Sequence, residues 1–198
     1  MNSPLEHYDR ELLLKINSWH NDSLDWLMWQ YSEIYIFLPI AFILIFFYYK
    51  RYQLKNTAAL LLCCCISVAL TDISSNTVKH AVKRYRPTHN LEIKDKLHYL
   101  KDNDGKDYHG GKYGFFSSHA ANTVGVTTLL FLAASWIPKR RRFLFYLIPF
   151  MIIYSRIYIG AHYPSDVILG SIDGIIFGYI TFIIFRRYFF KSPLMQDA

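Results

Sequence analysis

Five apolar runs separated by polar clusters dominate the chain, at about residues 33–49, 57–78, 120–137, 143–159 and 164–185. Each approaches the roughly 20 residues that a helix needs to cross a hydrocarbon layer. Ahead of them, Leu5, Leu12, Leu13, Ile16 and Trp19 recur at helical spacing, with Asp9, Arg10 and Lys15 assigned to the other side. That pattern predicts an interfacial amphipathic helix over about residues 4–20. Asn21 and Asp22 break it, and Trp26, Trp29 and Tyr31 then stand at the entrance of the first run as an aromatic belt would. The stretch 88–113 fits no run: it is polar, contains glycine and is too long for a plain connector. It predicts an extramembrane loop on the solvent side. The fold class expected is all-α, a polytopic membrane helical bundle with about five transmembrane helices plus the N-terminal interfacial helix, forming one domain over residues 1–198.

Composition supports that class. Of 198 residues, 53% are hydrophobic and 18% aromatic, more than a soluble core of this size can hold. The formal charge of +7 raises the question of nucleic acid, but the basic residues gather at the ends of apolar runs rather than along one face. Nucleic acid is therefore not expected as a partner. Lys50, Arg51 and Lys55 follow the first run, Lys139, Arg140, Arg141 and Arg142 the third, and Arg186, Arg187 and Lys191 the fifth. The positive-inside rule places these clusters in the cytoplasm, and hence the N-terminus, the 88–113 loop and the 156–166 turn on the outer face. With no basic n-region and no cleavage site at its start, the chain is not expected to carry a removable signal peptide. Cys63, Cys64 and Cys65 are consecutive within an apolar run, which suits neither a disulfide framework nor a metal site and predicts packing residues.

Candidate chemistry lies in three stretches of that outer face. In Ser155-Arg156-Ile-Tyr-Ile-Gly-Ala-His162-Tyr-Pro-Ser-Asp166, Pro164 suits the first turn of a helix and brings Asp166 near His162. A carboxylate on one ring nitrogen leaves the other basic and aimed, while Arg156 offers a planar fork for an oxyanion or phosphate. Lys79 and Arg86 stand seven apart, and Pro87 stops the helix behind them. In Gly114-Phe-Phe-Ser117-Ser118-His119, Ser117 reads as an N-cap whose helix start is an anion site, and His119 could protonate a leaving oxygen. Taken singly, each stretch has a plainer reading as a cap, a basic collar or a helix start. Asp72 and Asp173 fall inside apolar runs and need polar partners. Gly170, Gly174 and Gly178 form a smooth stripe, expected to pack against the third or fourth run within the same chain rather than against a second copy.

Taken together, Lys79 with six residues to Arg86-Pro87, Ser117-Ser118-His119, and Ser155-Arg156 with five residues to His162 and three more to Asp166 resemble the three signature motifs of the type 2 phosphatidic acid phosphatase family. That family shares its site with vanadium haloperoxidases. The resemblance implies an integral-membrane lipid phosphatase working through a phosphohistidine. In those terms His162 is the nucleophile, Asp166 orients it, and His119 is the general acid and base. Lys79, Arg86, Ser117, Ser118 and Arg156 hold the phosphate, and neither cofactor nor metal is implied. The middle motif departs from the family's Pro-Ser-Gly-His in Phe116 and Ser118, which puts the amide geometry there in doubt. The implied partner is a phosphorylated lipid of a bacterial inner membrane, attacked from the periplasmic or exterior side. The short chain looks similar to small bacterial undecaprenyl pyrophosphate phosphatases, with phosphatidylglycerophosphate, phosphatidic acid and lipid A phosphates as alternatives. A haloperoxidase is disfavoured by the five runs, and a non-catalytic lipid-phosphate binder by the intact His119, His162 and Asp166. His98, Lys101 and His109 are candidate headgroup contacts from the loop.

Overall fold

Hydroxyl-bearing side chains point inward and large apolar ones outward, the reverse of a protein folded in water. Ser67, Thr71, Ser75 and Thr181 are fully buried, whereas Phe42 is 68% and Phe150 65% exposed. This surface needs a hydrocarbon solvent. The computed structural model describes residues 4–102 and 104–189; Lys191, the last base of the third cluster, lies outside the described residues.

Seven α-helices, and no β-strand beyond two isolated bridges, are found among the described residues. They are α1 (Pro4–Asn17), α2 (Asp22–Ser32), α3 (Leu38–Val82), α4 (Ser118–Ala133), α5 (Lys139–Arg142), α6 (Leu147–Tyr158) and α7 (Pro164–Ile184). The first two apolar runs are not separated by a loop. They form the two arms of α3, which breaks only at Gln53, a non-glycine residue with φ 63° and ψ 175°. Lys50, Arg51 and Lys55 flank that break. Asn56 donates to the Tyr52 carbonyl at 3.1 Å and Thr57 to that of Gln53 at 2.8 Å, so side chains engage the carbonyls of the break. The two arms face each other across a cavity of about 640 Å³, lined among others by Leu44, Tyr48, Leu60 and Cys64.

The expected count of five spans is not reached by helix length alone. Two segments, Tyr35–Val82 and Pro164–Phe189, are long and apolar enough to cross a membrane. α4 has 16 residues and α6 has 12. α4 ends at Ala133, Pro138 precedes the short basic α5, and the fourth run begins with a 3-10 turn at Phe143–Tyr146 before α6 forms.

The site is positioned by the packing of α4 on α7, where the glycine stripe lies against backbone of the same chain, as expected. A Cβ on Gly170 would stand 2.5 Å from the Ser117 carbonyl, on Gly174 2.5 Å from that of Ala121, and on Gly178 2.4 Å from that of Gly125. Only glycine permits this approach. Asp72 accepts from Asn122 Nδ2 at 2.9 Å and Asp173 Oδ1 from Ser74 Oγ at 2.7 Å, so each has a polar partner, while Asp173 Oδ2 is buried without one. One apolar core (Leu13, Ile16, Met28, Ile93, Leu100, Tyr158) closes the end of the bundle that carries the motifs, and a second (Tyr48, Leu60, Cys63, Leu129, Phe185) closes the other. Cys63 is buried in the latter, and Cys63, Cys64 and Cys65 are all unpaired thiols, in keeping with a packing role.

Two expectations are corrected. α1 does not turn Asp9 away from the protein: Asp9, Leu13, Ile16 and Asn17 share the buried face, while Leu5, Tyr8 and Leu12 are exposed. The spacing 9, 13, 16 and 17 is itself a helical face, and Asp9 belongs to it because a cation meets it there. The 88–113 stretch is no simple cover, since Ile93 and Leu100 enter the core and Asn17 fixes His98 through both its amide and its carbonyl, at 2.8 and 3.0 Å.

Candidate active site

Three chain reversals deliver the motif residues to one end of the bundle. α3 ends at Lys83, which takes a left-handed φ of 54° and accordingly redirects the chain toward Arg86 and Pro87. A bridge from Tyr85 to Tyr113, with the Arg86 amide on the Lys112 carbonyl at 3.1 Å, brings the loop's return alongside. Ser117 caps α4 as expected, its hydroxyl accepting from the Ala120 amide at 3.4 Å. The third reversal follows α6, where Gly160 adopts a positive φ of 71° and α7 restarts at Pro164. The Ser117 amide donates to the Asp166 carbonyl at 3.0 Å, which ties the second and third motifs together.

The candidate residues converge. Burial first, and then the charges of Arg156, His162, Arg86 and Lys79, bear on His119 in the first turn of α4. Arg156 is buried, donates Nη2 to the Tyr108 hydroxyl at 2.7 Å, and leaves its Nε without a partner. Burial pulls the Arg86 guanidinium below its ordinary value; Tyr108 opposes that shift and Arg156 reinforces it. Two guanidinium groups crowded in this way are best relieved by an anion between them. Lys79 donates to the Ser118 hydroxyl, which also lies 2.7 Å from Ser75 Oγ. Where the resembled family has glycine, this chain thus has a hydroxyl that holds the lysine. Ser118 and His119 supply the first-turn amides that have no partner within the helix; the Ser117 amide is engaged by the Asp166 carbonyl, while its hydroxyl, an acceptor from the Ala120 amide, keeps its own proton to donate.

His162 is buried, and burial together with the charges of Arg86, Arg156 and Lys79 holds its imidazole well below the usual range. It is neutral at pH 7, as a nucleophile must be. Its Nδ1 faces Asp166 Oδ2 at 3.6 Å, outside hydrogen-bond distance, and has no partner. The pairing expected between them is therefore only approached. Asp166 Oδ2 instead accepts from the Tyr163 amide at 3.0 Å, and Oδ1 from Arg84 Nη1 at 2.7 Å. Gly114 lines the same corner, where an added Cβ would stand 3.2 Å from Asp166 Oδ2.

Sequence reasoning missed Arg84 and Tyr108. Arg84 lies between Lys79 and Arg86, and its signal was the buried Asp9, an acid that an amphipathic reading had turned to solvent. Tyr108 gave no signal beyond its place in the loop. Of the loop residues named as headgroup contacts, His98 Nε2 is 2.7 Å from Asp25 with its ring stacked on His20, and Lys101 pairs with Asp107 at 2.7 Å. His109 packs its ring near Tyr99. Tyr108 is the loop side chain that touches a motif arginine.

A buried neutral histidine, a carboxylate behind it, a second histidine at a helix start and three convergent cations define a site for phosphoester chemistry in a membrane-type helical bundle. Among the described residues, no group of three His, Cys, Asp or Glu side chains could hold a metal ion. The chain belongs to the PAP2 superfamily, whose pattern matches residues 58–190. It is 29% identical over 178 residues to a lipid A 4′-phosphatase of Porphyromonas gingivalis, which covers 89% of this chain and 72% of that protein. A lipid A 4′-phosphatase of Bacteroides thetaiotaomicron is 28% identical over 184 residues, covering 92% and 79%. The fold is similar to that of the first transmembrane PAP2 type phosphatidylglycerolphosphate phosphatase from Bacillus subtilis, with a TM-score of 0.67 at 15% identity over 93% of this chain and 87% of that one. The protein is a membrane lipid phosphatase of the PAP2 type.

Proposed function

We propose that the chain removes a phosphate monoester from lipid A, or from a glycolipid of the same kind, through a phosphohistidine on His162. One observation carries the substrate: two lipid A 4′-phosphatases align with about nine-tenths of the chain. The outward orientation read from Lys50, Arg51, Lys55 and the 139–142 cluster supports it. In this reading the two arms of α3, then α4, the segment 143–158 and α7 make five crossings of a bacterial cytoplasmic membrane, and the site opens toward the periplasm. Undecaprenyl pyrophosphate satisfies the same orientation, but it draws no support from these relatives, and lipid A takes its place as the leading substrate.

In the proposed reaction, Arg86, Arg156, Lys79 and the Ser118 and His119 amides hold the three non-bridging oxygens. With Nδ1 turned to Asp166, Nε2 of neutral His162 attacks phosphorus; the P–N bond forms as the P–O bond to the sugar breaks. His119, protonated once the bound anionic phosphate offsets the cations around it, gives its proton to the departing oxygen. Asp166 closes the 3.6 Å gap to the imidazolium so formed and stabilises its charge. His119, now neutral, takes a proton from water, whose oxygen attacks phosphorus and returns His162 as phosphate leaves.

Purified protein in detergent, offered lipid A, undecaprenyl pyrophosphate, phosphatidylglycerophosphate and phosphatidic acid at equal surface concentration, tests the proposal. Phosphate release fastest from lipid A, with loss of one phosphate seen by mass spectrometry, is expected. Preference for undecaprenyl pyrophosphate by tenfold or more would reverse the substrate assignment.

A further inference from the structure

The side chain that grips Asp166 is none of the signature residues of the three motifs, although it lies in the spacer of the first. Arg84 divides its guanidinium between two acids: Nη1 donates to Asp166 Oδ1 and Nη2 to Asp9 Oδ2, both at 2.7 Å. Its Cζ stands over the Tyr163 ring, 4.2 Å from the centroid. Ser165 closes the cluster: its amide donates to Asp9 Oδ1 at 2.9 Å, its hydroxyl bonds to Asp9, and it accepts from Arg84 Nη1 at 2.8 Å. The side chains of Asp166 and Asp9 are 0% and 5% exposed. Burial alone would lower the Arg84 guanidinium, yet Asp166 and Asp9 more than offset it and hold it above its ordinary value.

The charge count explains why two acids are needed. Arg84 with Asp166 alone would be a neutral pair, with little charge left to stabilise an imidazolium on His162. Asp9 returns one negative charge, so the Asp9–Arg84–Asp166 cluster is anionic overall. One carboxylate oxygen of Asp166 is fixed by Arg84, and the other, held by the Tyr163 amide, points at His162 Nδ1. The remaining charged or titratable groups around His162 are Arg86, Arg156, Lys79 and His119, all basic. The cluster is thus the source of the negative charge on that side of the ring.

We propose that Arg84 and Asp9 are positioning residues for this phosphatase: α1 contributes Asp9 so that Arg84 can aim Asp166 at His162 without neutralising it. The inference rests on the phosphohistidine reading above. It makes the N-terminal helix a working part of the site, since Asp9 and the exposed Leu5, Tyr8 and Leu12 belong to the same four turns.

Initial rates with the soluble ester p-nitrophenyl phosphate, measured from about pH 3 to 9 in detergent so that the acid limb of a histidine held well below its ordinary value is in range, test the coupling independently of the lipid. Three variants change the cluster's charge in known steps. Asp9→Asn makes it neutral, Arg84→Met makes it doubly negative, and the double variant restores a single negative charge on Asp166. Asp9→Asn is expected to lower kcat about tenfold with KM within about twofold, and to move the acid limb of kcat/KM down by about one pH unit. Arg84→Met is expected to move that limb up, and the double variant to return it to the wild-type position. Melting in detergent identifies any variant that fails to fold, and Arg84→Lys, which keeps the charge, should keep the limb. Rates that fall equally in all variants with an unshifted limb would reduce Arg84 and Asp9 to packing residues, as would a wild-type rate for Asp9→Asn. His162→Ala separates the two readings: if it is inactive while the limb stays fixed, only the coupling fails, and if it is active, the phosphohistidine falls with it.

Discussion

Adding one methyl group to α7 should separate stability from catalysis, depending on where along the helix it is placed. Gly170 lies one turn beyond Asp166, and a Cβ there would stand 2.5 Å from the Ser117 carbonyl. Ordinary contact begins near 3.4 Å, so α4 and α7 must part locally by about 0.9 Å. Backbone cannot rotate aside as a long side chain can, and overpacking of this kind costs about 1–3 kcal/mol. The displaced residue is the one whose amide holds the Asp166 carbonyl and whose hydroxyl caps the helix that presents Ser118 and His119. A misplacement of about 1 Å can cost about 100-fold in rate. Gly178 is equally tight, 2.4 Å from the Gly125 carbonyl, but Gly125 follows Ser117 by eight residues, about 12 Å along the axis. Gly170→Ala and Gly178→Ala should therefore both melt several degrees lower, at roughly 2–4 °C per kcal/mol for a chain of this size. Only Gly170→Ala should lose about 100-fold in kcat; Gly178→Ala should stay within about fivefold. Phosphate release from equal amounts of folded protein, checked by size exclusion and thermal melting in detergent, decides this. Equal catalytic losses, or a wild-type kcat for Gly170→Ala, would refute the claim that the α4–α7 contact sets the site's geometry.

Three further outcomes are expected. His162→Ala should abolish turnover and His119→Ala reduce it by about 100 to 10,000-fold, with activity surviving EDTA and inhibited by vanadate; full loss with EDTA, restored by a divalent ion, would contradict the roles given to the arginines and Lys79. Because the folded His162 lies well below its unfolded value of about 6.5, the unfolded chain binds the extra proton first: the stability linked to this group is complete above pH 6.5 and is lost as pH falls below it. The melting temperature should drop between pH 7.5 and 5, and His162→Gln should drop measurably less over that interval; equal slopes would show that other groups set the acid sensitivity. In a background with the three native cysteines replaced by alanine, a cysteine at Lys106 should react with an impermeant maleimide in spheroplasts and one at Arg140 should not, and the reverse pattern would turn the site toward the cytoplasm.

The parts of the site legible in the sequence are those whose chemistry depends on spacing along one element or across one turn. Ser117 as a cap, Pro164 as a helix start and Arg86 before Pro87 are local decisions, and the chain makes each as its sequence implies. The glycine stripe was legible for the same reason, since a four-residue period describes a helix face before anything packs on it. Gln53 is different: a left-handed residue between two apolar runs gives no glycine to read, and the runs suggest a loop where the helix merely breaks. Helix length misled in the fourth run, whose apolar content is divided between a 3-10 turn at Phe143–Tyr146 and α6.

Asp9 was hidden by the rule that makes amphipathic helices readable. That rule sorts charges to the solvent side, and it fails where a buried cation is waiting. No pattern within α1 names Arg84, which lies 75 residues away and reaches Asp9 only after α3 has turned at Lys83. Yet the physical constraint runs in the opposite direction and is strict. If Asp166 supports His162 as proposed, the buried arginine beside it must be over-compensated, or it would quench the charge on which the histidine depends. Once Arg84 is seen on Asp166, a second acid is required, and a helix at the membrane surface is what brings it. The N-terminal helix is thus explained twice, by the apolar residues it exposes and by the one charge it buries, and only the second ties it to phosphoryl transfer.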